Sequence, residues 1–130
     1  MKRKAVDKWL NKNLIRIVSQ YGLNHVDLEV TTSEDSVTNL GECTTDFNQN
    51  TATIVLYVSD IEDMEDLEET LRHELEHVLL APWDMFFDIT LRLCPDSTTK
   101  AIIYSIWHTA QEISRANIGR FRQNILASRL

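Results

Sequence analysis

The 130 residues predict a single α+β domain spanning 1–130, and three observations carry that expectation. Apolar residues recur at helical spacing near the start. Three short β-prone segments follow in the middle of the chain. Helical periodicity then returns from about residue 60 onward. The expected order is an N-terminal helix, a small, mostly antiparallel three-stranded sheet, a long helix, and a C-terminal helix.

From Ala5 to Tyr21 the apolar positions Val6, Trp9, Leu10, Leu14, Ile17, Val18 and Tyr21 lie three and four apart, and Gly22 is a natural stop. Val26, Leu28 and Val30 alternate with polar residues, as in a half-buried strand. Leu40–Phe47 and Thr51–Val58 are two further strands, with Asn48-Gln49-Asn50 as the hairpin turn between them. Ser59 or Asp60 is expected to cap a helix running to about Leu80, with Pro82 stopping or kinking it. Trp83–Leu93 reads as a short helix, although alternate apolar positions also suit a strand. After Cys94-Pro95, Asp96 or Ser97 caps a last helix whose apolar stripe is Ile102, Ile103, Ile106, Ala110, Ile113, Phe121 and Ile125.

Composition narrows the function classes. Hydrophobic residues make up 43% and charged residues 25%, the balance of a globular chain that can build a core without disulfides. Cys43 and Cys94 are accordingly read as free thiols. No apolar run approaches the roughly 20 residues that cross a bilayer, and Lys2-Arg3-Lys4 is not followed by an apolar signal region. A cytoplasmic location is therefore expected, with no membrane partner. The net charge of −7 argues against nucleic acid as a partner. Residues 60–69 hold seven acids and no base, so the rest of the chain is neutral. The run fits a solvated helix start, where carboxylates meet the positive end of the dipole. A weaker reading makes it a field favouring basic substrates.

The segment His73-Glu74-Leu75-Glu76-His77 carries chemistry. Histidines at i and i+4 share one helix face about 6 Å apart along the axis. Their imidazoles can converge on one Zn²⁺, which accepts nitrogen at about 2.0–2.1 Å. Glu74 then lies beside the open coordination position, where it can take a proton from water and deliver it to a leaving amine. Leu67, Leu71, Leu75 and Val78 form the core stripe of this helix, and the two histidines are expected to be part-buried on its flank. Glu76 points away, as a surface acid.

A catalytic zinc needs a third protein ligand. Downstream of His77 the candidates are Asp84, Asp88, Cys94, Asp96, His108 and Glu112. Leu80 and Trp83 stand where one common pattern requires Gly and His, which excludes that pattern. Asp84 could ligate only if Pro82 turned the chain back. Glu112 is favoured, because Ala101, Ser105, His108, Glu112, Ala116 and Gly119 form a stripe whose small residues would admit a close helix. His108 could stabilise an oxyanion, hold Glu112, or replace it as ligand, and Tyr104 is a further donor.

On T-L-R-H-E-L-E-H-V-L-L-A-P at residues 70–82, on Glu112 and on element order, the chain resembles the zincin metallopeptidases. Within them it is most similar to the gluzincin-like branch and to the minimal HExxH peptidases of phages and mobile elements. The resemblance implies His73, His77 and Glu112 as zinc ligands, Glu74 as base, and a protein or peptide substrate. For a phage-encoded chain the location would be the host cytoplasm. It also implies that a strand by the site, read here as Thr51–Val58, binds extended peptide by strand addition. Ala116 departs from the family pattern, in which an acid often follows the ligand glutamate by four residues. The alternative to an enzyme is a non-catalytic zincin-like module that binds or regulates a partner protein.

Overall fold

The computed structural model describes residues 1–46 and 48–127, apart from the side chains of Arg115 and residues 117–127. Phe47, Phe121 and Ile125, which the sequence assigns to a strand end and a helical stripe, thus lie outside the described side chains. The chain is α+β, with three α-helices and a three-stranded mixed sheet. In order, these are α1 (Arg3–Gln20), β1 (Asp27–Ser33), β2 (Gly41–Asp46), β3 (Thr51–Tyr57), a 3-10 turn (Val58–Asp60), α2 (Met64–Leu93) and α3 (Ser97–Ala127). Two compact units result, Met1–Pro82 and Trp83–Leu130.

In the first unit α1 buries Val6, Leu10 and Ile17 and stops before Gly22, whose φ of 67° suits glycine. The sheet order is β1-β3-β2, with β3 parallel to β1 and antiparallel to β2. The hairpin expected between β2 and β3 is present, and Asn50 at its end adopts a φ of 55° that asparagine tolerates well. The pairing of β1 with β3 is parallel, so the sheet holds one ladder of each kind. The most apolar strand takes the middle place, where Ala52, Ile54 and Leu56 are buried.

Register shows how the helices lie on this sheet. Thr32, Leu56 and Gly41 form one row across the three strands, so they share a face. From α1, Arg3 donates to the hydroxyl and carbonyl oxygens of Thr32, and that hydroxyl donates to Asp7. From α2, Glu74 and Thr70 lie against Gly41 at the other end of the row. Both helices therefore cover the same face, and the core between them and the sheet includes Leu67, Leu71, Leu75 and Val78 of α2. Arg72 is also buried, at 1% exposure, and donates to Gln20 at 3.0 Å near the end of α1.

Two expectations about α2 are corrected. Its cap is Asp63 rather than Ser59 or Asp60: the Asp63 carboxylate accepts the Asp66 amide at 2.8 Å, while Asp66 in turn accepts the Glu62 amide. Ser59 instead donates to the Glu34 carbonyl and Asp60 accepts from Ser36, which ties the 3-10 turn to the loop before β2. The helix also runs unbroken through Pro82 to Leu93. Proline removes one i→i−4 bond, and the helical composition of 83–93 is sufficient to continue past that loss.

In the second unit, the end of α2 packs on α3. Phe87 stacks on Trp107 with ring centroids 4.8 Å apart, and Asp84 accepts a hydrogen bond from Gln111 at 3.0 Å. Asp96 caps α3 as expected, accepting the Thr99 amide at 2.7 Å and the Thr99 hydroxyl at 2.8 Å. Among the described residues, no helix is long and apolar enough to cross a membrane.

Candidate metal centre

The middle of α2 presents His73 and His77 one turn apart, as the i,i+4 spacing requires. Both side chains are exposed rather than part-buried on the flank of the core. The face they occupy is turned away from the buried leucine stripe. Their Nε2 atoms are 3.1 Å apart and their rings meet edge to face, with centroids at 4.7 Å. Two nitrogens that share a tetrahedral zinc at about 2.0–2.1 Å stand about 3.3 Å from each other, so the observed separation fits a common ion. It also fits an N–H···N hydrogen bond between the two rings.

Glu74 has the opposite environment. It is 5% exposed and wedged against β2. Burial pushes its carboxyl above the usual carboxylate range; the adjacent His73 works against that shift and Glu42 adds to it. The neighbouring Cys43 thiol feels the same surroundings, and burial together with the Glu74 carboxylate pushes it up to about 11. One helix turn thus combines two exposed imidazoles with a buried carboxyl that holds its proton more tightly than a free one.

Glu76 is not the surface acid that helix geometry suggested. It is half-buried, with Oε1 inaccessible, and lies one turn beyond Arg72. Arg72 bonds Gln20, so this side of α2 lies toward the C-terminal end of α1.

The remaining candidates belong to the second unit. His108, Glu112 and Tyr104 are exposed on α3, and the Tyr104 and His108 rings meet edge to face at 4.5 Å. The face of α3 that receives the end of α2 carries Tyr104, Trp107 and Gln111. The stripe of small residues through His108 and Glu112 was expected to receive a neighbouring helix, yet Ala101, Ser105 and Ala116 are exposed. Aromatic stacking governs the contact instead of close backbone approach. Asp84, an alternative third ligand, is engaged by Gln111. Among the described residues, no group of three or more His, Cys, Asp or Glu side chains converges as a metal-holding cluster.

The strand expected to bind peptide is also corrected. Thr51–Tyr57 is paired on both sides, by β1 and β2, and has no edge to offer. The strand at the sheet edge beside Glu74 is β2. Sequence reasoning passed over its first residue, Gly41, although a glycine opening a strand signals a close approach by another group. No protein-family model, curated protein or solved structure matches this chain.

Proposed function

We propose that the chain is a zinc-dependent metallopeptidase with His73 and His77 as two zinc ligands and Glu74 as the general base. The observation that carries this reading is the 3.1 Å separation of the two Nε2 atoms, one residue away from a buried carboxyl of raised proton affinity. Zinc bound there would polarise the scissile carbonyl and acidify water. The Glu74 carboxylate accepts a proton from the attacking water, and delivers it to the amine nitrogen as the carbon–nitrogen bond breaks. Its raised affinity for a proton suits both halves of that task. Glu112 is the proposed third ligand and His108 the donor to the developing oxyanion. Extended peptide would pair with the free edge of β2 rather than with β3.

A second reading is a non-catalytic module that binds a partner protein, with zinc structural or lost. It is favoured by the 3.1 Å approach of the two Nε2 atoms, which lets the imidazoles satisfy each other through an N–H···N hydrogen bond. Metal analysis and proteolysis separate the two. The purified chain should carry one zinc, lost in His73→Ala and in Glu112→Ala. The parent should cleave a denatured protein mixture, and Glu74→Gln should lower that rate by about 100-fold or more at unchanged zinc content. Bound zinc with no cleavage by the parent would establish the binding module.

A further inference from the structure

We propose that Gly41 is a positioning residue for Glu74, chosen for the space it leaves rather than for its backbone freedom. This inference rests on Glu74 being the base. Gly41 opens β2 and pairs with Leu56 in ordinary extended register, without the positive φ that would call for glycine. Glycine weakens a strand, so its presence there needs another cause. A Cβ at position 41 would lie 3.1 Å from Glu74 Cγ, 3.1 Å from Glu74 Oε1 and 3.2 Å from Thr70 Cγ2. All three distances are tighter than ordinary van der Waals contact, and two of them are to the proposed base.

The notch has a floor and one wall. Its floor is the backbone of the edge strand at Gly41. Its wall is Thr70, one turn before Glu74, whose hydroxyl is fixed by donating to the Asp66 carbonyl at 2.8 Å and whose methyl group therefore points at the notch. Glu74 is held at 5% exposure with its carboxylate against β2. The depth of that notch sets how far the carboxylate stands from the edge along which a peptide would lie. An added methyl group would displace the reacting oxygen by tenths of an ångström while leaving His73 and His77, on the exposed face, where they are. Gly41 thereby couples the edge strand to the base independently of the histidine pair.

The test uses the full chain with zinc bound. Gly41→Ala should lower kcat by several-fold to about tenfold, with KM changed by less than about twofold and zinc content unaltered. Thr70→Ser deletes the methyl wall but keeps a hydroxyl for Asp66. Added to Gly41→Ala, it should recover about half or more of the lost kcat. Denaturant unfolding supplies a readout that needs no activity. Gly41→Ala should lower the midpoint in the parent by clearly more than in a Glu74→Ala background, where two of the three clashing atoms are gone and only the Thr70 methyl remains. Equal losses in both backgrounds would overturn the proposal, because the glycine would then serve the strand alone. A kcat that falls only in step with zinc content would overturn it too. A parent that hydrolyses nothing would refute the peptidase, and the unfolding cycle would still decide whether Gly41 positions Glu74.

Discussion

At the scale of single residues, Cys43 reports on the surroundings of Glu74. Its thiol is shifted to about 11 from an ordinary 9.0, first by burial and then by the Glu74 carboxylate. Only the thiolate is alkylated, so in a Cys94→Ser background the iodoacetamide rate should climb about tenfold per unit from about pH 8 to about pH 10. Half-ionisation should come near 11. Glu74→Gln removes the negative charge and should move the inflection down while burial keeps it above 9.0. An inflection at 9.0 in the parent would place Cys43 in open solvent. Stability follows with a definite sign. The folded state holds the proton more tightly than the unfolded chain, so this contribution is full below about pH 9 and is lost as pH rises toward 11. None of this was legible in the sequence. Helical spacing on α2 placed Glu74 next to the histidines, but not Cys43 or Gly41 beside it. Those two lie some thirty residues earlier, on a strand whose register depends on pairing with β3.

At the scale of elements, the pattern of apolar residues located the three strands and the helical regions, and what it missed were ends, neighbours, the 3-10 turn and the continuity of α2 past residue 82. Asp60 and Ser59 have the chemistry of caps, yet Asp63 holds the position because the 3-10 turn consumes the chain before it. Neither the parallel ladder of β1 with β3 nor the central place of β3 could be read locally, since pairing is a choice among distant segments. Pro82 as a stop signal is the clearest misreading. A proline inside a helix costs about 3 kcal/mol relative to alanine. In α2 that cost is borne at an exposed position where the first compact unit ends. Pro82→Ala restores an N–H to the helix ladder. It should stabilise the chain to denaturant by up to about 3 kcal/mol, with helical circular dichroism unchanged or slightly increased. A loss of stability would mean that the proline ring itself makes a contact the helix needs.

At the scale of the whole molecule, the ligands proposed for zinc are contributed by different elements, His73 and His77 by α2 and Glu112 by α3. A ligand bound by the folded chain and not by the unfolded one stabilises it in proportion to the logarithm of its concentration over Kd. At a free zinc concentration of 100 times Kd the gain is about 2.7 kcal/mol, which thermal or denaturant unfolding resolves easily. His73→Ala and His77→Ala should each abolish that gain, because either change leaves only two of the three proposed ligands. The decisive comparison is between acids of the second unit. Glu112→Ala should remove most of the zinc-dependent stabilisation, whereas Asp84→Asn should keep it, because Asp84 already accepts Gln111 and an amide oxygen can do the same. His108→Ala should also leave the stabilisation intact while lowering cleavage, as befits a donor to the oxyanion rather than a ligand. If Glu112→Ala unfolds with the full zinc increment and His108→Ala without it, the histidine is the third ligand. The site would then be a three-histidine centre, and Glu112 would be reassigned to the surface of α3.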